Sequence, residues 1–310
     1  MHRSPPNPVG AGLLAKASSL PTSMLNDTTP SRASPLPQGT SLYGDTMMTQ
    51  HITELLMYTA PDPIHQANER WLARILEHLG ETRGDAAGLS LMEMWLSPHL
   101  LLTQTCGYPL MTALRGKVRV LGRPRYELPD SSGGNHCSLI LGRVDDPRQT
   151  LADFRGSRGV INGHDSNSGM NLLRHRLAPL QRDGRFFAEV GISGSHRESL
   201  RWLREGLADL AAIDSVTFAC LARYAEEEVT GLRVIARSAL SPTLPYITAA
   251  SVSDQQAEGL LQAMNQALSE LPDVAEILGL PEVLPASERD YQVVLDYQRE
   301  AEALGYGDLR

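Results

Sequence analysis

The chain has 310 residues, of which 42% are hydrophobic and 21% are charged, so it is long enough and apolar enough to build a large core. Its net charge of −8 argues against nucleic acid or an anionic membrane surface as a partner, although a small anion can still bind through local donors. The three cysteines, Cys106, Cys137 and Cys220, are widely spaced, which disfavours a disulfide framework or a zinc site. No apolar run reaches the ~18 residues of a membrane span.

The first residues are rich in Pro, Ser, Thr and Gly and show no strand or helix periodicity. This composition predicts a disordered extension over residues 1–49. Within it, VGAGLLAKASS offers a weakly apolar patch followed by small residues, as in a secretion signal. The patch is short, diluted by glycine and interrupted by Lys16, so the signal is unconvincing.

The next part of the chain predicts a strand, two helices and then three strands. ITELLMYTA (52–60) is an apolar β-type run, and IHQANERWLARILEHLG (64–80) is an amphipathic helix that stops at Gly80. A short helix is expected at 91–96, and strands at 99–105, 117–126 and 137–144. CGYP after the first of these strands and ELPDSSGGN (127–135) are interpreted as loops.

From residue 159 onward strands alternate regularly with helices. The predicted strands are 159–162, 186–194, 211–215 and 232–240, and helices follow SNSG and occupy 196–209 and 216–227. Such alternation is typical of an α/β fold with a mostly parallel sheet and crossover helices. Ligands of such sheets bind where strands end and helices begin, which points to NGHDSNSGMN, CGYP, SGSH and IDS.

Two or three further helices are expected near the C-terminus, among them 253–271 with Ser251 or Ser253 as cap and 291–305 ending in Gly305. Segments without clear helix or strand character near 127–136 and 238–245 divide the chain into a middle part and two flanking parts. We therefore expect residues 50–133 and 241–310 to form lobe I and residues 134–240 to form lobe II. Two hinge strands would join the lobes and let them close around a ligand.

The segment NGHDSNSGMN (162–171) places small polar residues where a helix begins. One interpretation is plain capping, because Ser and Asn satisfy the free N–H groups of a first helical turn. The other is that these N–H groups, with Ser166, Asn167 and Ser168, form an anion site at the positive end of the helix dipole. The local sequence leaves both interpretations open.

Five segments occur in a characteristic order: MYTAP, TQTCGYP, INGHDSNSGMNLLR, SGSHRESLRWLREGLADLAAIDSVT and LPYITAA. Together they resemble the phosphate/phosphite/phosphonate substrate-binding proteins of ABC transporters, over roughly residues 52–270. The resemblance implies a two-lobed type 2 periplasmic-binding-protein-like fold. In that fold each lobe is a mixed, mostly parallel sheet flanked by helices, and two hinge strands join the lobes.

The resemblance also implies a set of ligand-binding residues. The anionic head would lie on Ser166, Asn167, Ser168 and the N–H of Gly169, although Asn167 stands where a hydroxyl residue is common. The other expected contacts are Tyr58 at the end of the first strand, Thr103, Gln104, Thr105 and Tyr108 in the facing loop, His196, and Asp214. Each has a structural alternative: a half-buried strand tyrosine, turn residues, a solvent-facing histidine, and a cap for the helix after Asp214.

The expected function is therefore solute binding without catalysis. The two lobes would close over phosphonate, phosphite or phosphate for ABC-type uptake, with a permease as partner and with no cofactor or metal. The family implies a monomer in the periplasm. The alternative is a cytoplasmic enzyme on the same fold, of the dehydratase or cofactor-precursor synthesis type, in which Cys106 and His196 supply thiol chemistry. No GxSxG or cysteine-cluster motif supports it.

Overall fold

A computed structural model describes residues 51–310, so the extension predicted for residues 1–49 lies outside the described residues. The strands are β1 (Ile52–Glu54), β2 (Leu100–Gln104), β3 (Val118–Arg125), β4 (Ser131–Ser132), β5 (Asn135–His136), β6 (Ser138–Arg143), β7 (Arg158–Ile161), β8 (Glu189–Ile192), β9 (Leu210–Asp214), β10 (Leu232–Arg237), β11 (Ser241–Pro242), β12 (Tyr246–Ala249) and β13 (Glu282–Pro285).

The helices are α1 (Asp62–Leu79), α2 (Leu91–Trp95), α3 (Gly107–Met111), α4 (Leu172–Leu177), α5 (His196–Arg204), α6 (Ser215–Tyr224), α7 (Asp254–Glu270), α8 (Pro272–Leu278) and α9 (Gln292–Ala303). Gly80 ends α1 in the left-handed conformation, as predicted. Ser253, not Ser251, caps α7 through a capping box with Gln256. No helix of the described part is both long and apolar enough to cross a membrane.

Two five-stranded sheets form the two lobes. The order in lobe I is β1-β2-β12-β3-β13, and the order in lobe II is β10-β6-β9-β7-β8. Helices α1 and α7 pack on the lobe I sheet, where Trp71 and Met264 are fully buried in one apolar cluster. The lobe II sheet is covered by α5 and α6 on one side and by the α4 region on the other. Both sheets are thus buried on two faces.

The sheets are mixed and flanked by helices, as predicted, and most strands of each sheet run in one direction, although antiparallel pairings outnumber parallel ones. Only β1–β2, β7–β8 and β7–β9 pair in parallel, while the other five pairings of the two large sheets are antiparallel. The reason is that β6 and β12 each follow a crossing between the lobes rather than a helix. Each of them runs antiparallel to its neighbours: β12 lies between β2 and β3, and β6 lies beside β9.

The two predicted crossings lie side by side. They meet in a small sheet of order β11-β5-β4, where Ser241 pairs with His136 and Pro242 with Asn135. The hinge of the fold is therefore a pair of short antiparallel strands. The exact lobe boundaries at residues 133–134 and 240–241 stay a prediction.

Two local predictions are wrong. The apolar run 52–60 contributes only three residues to β1, and the chain then leaves the sheet before Pro61 starts α1. CGYP does not form a loop but opens helix α3, in which Gly107, Pro109 and Leu110 are buried. Proline is compatible with a first helical turn because its missing N–H would have had no helical partner there.

Helix α9 contributes to the cores of both lobes. Its first turns place Val294 in the lobe I cluster that contains Trp95 and Leu110. Its last turn and the following residues place Ala301 and Tyr306 in the lobe II cluster around Phe154. The sequence pattern assigned this whole helix to lobe I, and it did not reveal that the helix continues into the other core.

Candidate ligand-binding cleft

The helix that was predicted to receive an anion begins at Ser166. The Ser166 hydroxyl accepts a hydrogen bond of 2.9 Å from the N–H of Gly169, so the capping interpretation is confirmed. The first turn, Asn167–Asn171, has π-helical spacing, with a 3.0 Å bond from the N–H of Asn171 to the carbonyl of Ser166, and it leads directly into α4. Such widened turns are frequent at functional sites.

Asn167, the next residue of this turn, makes hydrogen bonds to three other residues. The Asn167 amide turns away from the cleft, where it donates to Ser241 Oγ at 2.9 Å in the hinge and accepts from Asn171 at 3.1 Å. The N–H of Asn167 points to the Sγ of Cys106 at 3.2 Å. Asn167 therefore fixes the position of the turn through its side chain.

Gly169 is required by close packing. A Cβ atom at this position would lie 1.8 Å from Oδ1 of Asn162, which is the residue directly after β7. Within the described residues, that amide oxygen is buried and has no hydrogen-bond partner. The absence of a side chain at Gly169 thus lets Asn162 reach the start of the helix.

Ser168 is joined to His196. Its hydroxyl lies 2.8 Å from His196 Nε2, at the start of α5, which Ser195 caps through the N–H of Glu198. Burial lowers the pKa of His196, and the nearby Asp214 carboxylate offsets only part of this effect. The imidazole is therefore neutral near pH 7, and its Nδ1 has no partner among the described residues.

Asp214 ends β9 and caps α6, so the capping alternative for this residue is also confirmed. Its Oδ1 accepts from the N–H groups of Val216 and Thr217 at 2.9 and 3.0 Å. Its Oδ2 lies 2.9 Å from Nδ1 of His136, which is buried in the hinge. Burial opposes the ionisation of Asp214, but the neighbouring histidines and the N–H donors hold its pKa at about 2.

Tyr58 reaches Asp214 from the other wall of the cleft. Its hydroxyl lies 3.2 and 3.3 Å from the two carboxylate oxygens, and its ring packs edge-on against Tyr126. Burial and the Asp214 charge raise the pKa of Tyr58, so the phenol stays protonated and donates. This bond connects a residue of lobe I to a residue of lobe II.

These groups line one cleft of about 370 Å³ between the two lobes. Of the predicted site residues, Tyr58, Ser166, Ser168, His196 and Asp214 are on its wall. The other lining residues are Leu56, Met57, Thr59, Ala60, Leu91, Trp95, Cys106, Pro109, Asn162, Asp165, Gly194, Ser195, Arg197, Thr217 and Leu244. Arg197 is the only cationic side chain of that set, and its guanidinium is paired with Glu228.

Four predicted contacts lie behind the wall. Thr103 and Gln104 belong to β2, where their side chains donate to the carbonyls of Glu54 and Leu244. The Thr105 hydroxyl lies 3.4 Å from the carbonyl of Cys106. Tyr108 points away from the cleft and donates to Gln298 of α9 at 3.0 Å. The structure therefore does not bring these side chains together with the serine pair.

Cys106 lines the cleft as an uncharged thiol. Burial raises its pKa, and the backbone N–H groups of Tyr108 and Asn167 offset only part of that shift. A nucleophilic cysteine needs a lowered pKa. The electrostatics of Cys106 thus oppose the thiol chemistry of the enzyme alternative.

Sequence reasoning missed several residues of the cleft and its support. Asn162 and Asp165 lie in the segment 162–171 that the rule for the carboxyl edge of strands indicated, but they were not singled out as ligand contacts. Leu91 and Trp95 come from a helix that is distant in the sequence, and His136 lies in a loose crossing. No local signal marks these three residues.

Comparison with known proteins now decides the family. A family model described as the ABC transporter, phosphonate, periplasmic substrate-binding protein matches residues 98–291, more than half of the chain. The chain belongs to this family. Its members are periplasmic substrate-binding components of ABC transporters, so the resemblance inferred from the motifs is confirmed. No curated protein sequence matches the chain.

Solved structures of several binding proteins have the same fold. A binding protein component of an ABC phosphonate transporter from Pseudomonas aeruginosa superposes with a TM-score of 0.68 at 16% identity, covering 83% of this chain and 88% of that one. PhnD1 from Prochlorococcus marinus, in complex with methylphosphonate, gives 0.66 at 11% identity, covering 82% and 98%. A Xanthomonas citri protein bound to ATP gives 0.58 at 15% identity, covering 83% and 98%.

Proposed function

We propose that this protein binds a small phosphorus oxyanion, namely a phosphonate, phosphite or phosphate, in the cleft between its lobes. It then presents the closed complex to an ABC permease in the periplasm. The proposal adds the ligand and the partner to the family assignment. The single observation that carries it is the helix start whose Ser166 and Ser168 side chains line the cleft, with Ser168 bonded to His196.

The groups that this site offers to an anion are neutral and local. The N-terminal turn contributes the positive end of the helix dipole, and the side chains of Ser166 and Ser168 line the cleft. In neutral His196 either Nδ1 carries the proton and Nε2 accepts from Ser168, or Nε2 donates to Ser168 and leaves the Ser168 hydroxyl hydrogen free, so this pair supplies one donor to the ligand. Because Arg197 is paired with Glu228, the positive potential comes mainly from the dipole and these donors. A tetrahedral oxyanion has several acceptor oxygens that such converging donors satisfy.

The hydrogen bond between Tyr58 and Asp214 supports closure as the binding mechanism. It links the two walls of the cleft, while the paired strands β5 and β11 provide the hinge. A ligand that contacts both walls stabilises the closed arrangement by its difference in affinity for the two states. Retention then depends on the hinge as well as on the anion contacts.

A thermal-shift series on the purified chain tests the proposal. The panel contains phosphate, phosphite, methylphosphonate, sulfate and acetate, each at a concentration far above its expected dissociation constant. A ligand at a thousandfold its Kd adds about 4 kcal/mol to the free energy of unfolding, which raises the melting temperature clearly. We expect a phosphorus oxyanion to produce this shift and acetate to produce none.

The variant Ser168→Ala links the shift to the site, and Ser269→Ala on the exposed part of α7 is the matched control. We expect the first variant to lose most of the shift and the second to keep it. If none of the phosphorus oxyanions raises the melting temperature of the wild-type protein, the proposed ligand class is wrong.

A further inference from the structure

The lobe I wall of the cleft is uncharged. It comprises Leu56, Met57, Tyr58, Thr59, Ala60, Leu91, Trp95, Cys106, Pro109 and Leu244, whereas every ionisable Asp, Arg and His of the lining comes from lobe II. Building on the proposed function, we propose that the ligand is an organophosphonate whose substituent is apolar and uncharged. The substituent lies against this wall, and the site rejects an aminoalkyl group in its place.

The apolar side chains of the wall are available to a ligand. Leu56 and Leu91 are 43% and 41% exposed although both line the cleft, so a ligand can remove their surface from water. Trp95 lies behind them, only 4% exposed, and uses its indole N–H in a 3.2 Å bond to the carbonyl of Gln104, so it offers the cleft no polar group. The wall thus favours a hydrocarbon substituent on the ligand over a charged one.

The carboxylate best placed to bind an ammonium group is already occupied. Asp214 receives two backbone N–H groups on Oδ1, the His136 ring beside Oδ2, and the Tyr58 hydroxyl between both oxygens. A carboxylate offers about four acceptor positions; Val216, Thr217 and Tyr58 take three of them, and Nδ1 of the buried His136 stands 2.9 Å from Oδ2, where a fourth partner would bind. An ammonium group in the cleft would lose its hydration without gaining this partner.

The other carboxylate of the lining, Asp165, belongs to the lobe II segment that supplies the anion donors. It is exposed and directly precedes Ser166. It therefore lies on the segment that receives the phosphonate head and not on the wall that faces it.

The size of the cleft agrees with a ligand larger than an inorganic ion. At about 30 Å³ of liquid volume per water, a cleft of about 370 Å³ corresponds to roughly a dozen waters. An ion made of one phosphorus and its oxygens leaves most of that volume to water. A substituent that covers Leu56 and Leu91 would displace this water from apolar surface, which is favourable.

A matched pair of ligands tests the inference by isothermal titration calorimetry on the full chain. Propylphosphonate and 2-aminoethylphosphonate have the same number of non-hydrogen atoms and differ in a terminal methyl or ammonium group. We expect propylphosphonate to bind at least about tenfold more tightly than 2-aminoethylphosphonate, because the ammonium group would be desolvated without a partner. We also expect it to bind more tightly than phosphite. Equal or tighter binding of the aminoalkyl ligand overturns the inference.

Two neighbouring residues of α2 provide the variants. Leu91 lines the cleft, whereas Met92, which is 38% exposed, does not. Leu91→Asn should weaken the binding of propylphosphonate by roughly three- to tenfold and leave the binding of phosphite unchanged, because only the substituent touches this residue. Met92→Asn should change the affinity for neither ligand. An equal effect of both substitutions would contradict a direct contact with Leu91.

Binding of phosphite, which has no substituent, distinguishes a failure of this inference from a failure of the proposed function. If phosphite or phosphate binds and propylphosphonate binds no more tightly, the apolar-substituent inference fails while the phosphorus oxyanion site stands. If no phosphorus compound binds, the proposed function fails and this inference falls with it.

Discussion

The hydroxyl of Ser168 and Nε2 of His196 lie 2.8 Å apart although 28 residues separate them in the chain. Ser168 follows β7, and His196 follows β8, its parallel neighbour in the sheet. Because parallel strands direct their carboxyl ends to the same edge, the helices that follow them start side by side. The sheet therefore brings two helix starts together at one point of the cleft.

Ser168→Ala should weaken oxyanion binding by about ten- to a hundredfold, because a hydrogen bond to a charged group contributes about 1.5–3 kcal/mol. The substitution also removes the partner of His196 Nε2. Calorimetry with the best phosphorus ligand measures the loss, and the melting temperature of the free variant reports on folding. A variant that binds as tightly as the wild type would exclude the hydroxyl from the anion site.

Gly169→Ala should destabilise the protein by about 1–3 kcal/mol, because the new Cβ would overlap with Asn162 Oδ1. Urea denaturation measures the effect. Gly259→Ala is the matched control: its Cβ would meet no atom of the described chain within 4 Å, so α7 should be unchanged or slightly stabilised.

The double variant Gly169→Ala/Asn162→Ala tests the cause of that loss. Since it removes the overlapping amide, it should be more stable than Gly169→Ala alone. If the second substitution restores nothing, the contact between Gly169 and Asn162 is not the reason for the glycine.

Asp214 should make the stability of the protein depend on acid pH. Its pKa falls from the ordinary 3.8 to about 2 on folding, so its ionisation contributes about 2 kcal/mol. That contribution is complete above the unfolded pKa and is lost as the pH falls through the folded pKa. Asp214→Asn keeps a capping side chain but cannot ionise.

Urea denaturation of the wild type and Asp214→Asn at about pH 5 and about pH 3 measures this term. The wild type should exceed the variant by more at the higher pH, and the difference should shrink at the lower one. Asp146, whose pKa is also held at about 2 mainly by its hydrogen bond with Arg148, is present in both proteins and cancels. A difference that is constant with pH would contradict an ionised Asp214.

Cys106 should react slowly with iodoacetamide near neutral pH, because burial raises the pKa of its thiol. Cys106→Ser should bind the oxyanion within a few-fold of the wild type. Mass spectrometry of the alkylated chain gives the rate, with Cys137 and Cys220 as internal references, since burial raises their pKa values to about 11 and about 12. Rapid modification of Cys106 would revive the enzyme alternative.

Local patterns were sufficient to predict the helices and the start of the site. The four-residue spacing of Ala67, Trp71 and Ile75 predicts α1, and Gly80 predicts its end. Ser166 and Ser168 could be placed at a helix start beside the cleft because their short-range chemistry is visible in the sequence. Thr103, Gln104 and Tyr108 failed as cleft side chains, since their orientation depends on the register of β2 and on packing against α9.

The partners of Asp214 depend on tertiary contacts as well. His136 and Tyr58 come from the hinge and from the opposite wall, and each is far from Asp214 in the sequence. The sequence could therefore suggest an acidic ligand contact but not that its oxygens are already used. That distinction is what separates an amine-binding site from an apolar one.

Helix α9 gives the two lobes a third mechanical connection besides the hinge strands. The helix that begins at Ser166 is bonded to α9 and to the segment after it, because Asn171 donates to the carbonyl of Val294 at 3.0 Å and Arg174 to that of Gly307 at 2.6 Å. With about 1.5 Å of rise per residue, α9 is a stiff rod whose ends are embedded in different cores. If the lobes close around a ligand as proposed, we expect the motion to require that α9 tilt or slide, because its two ends are buried in different cores.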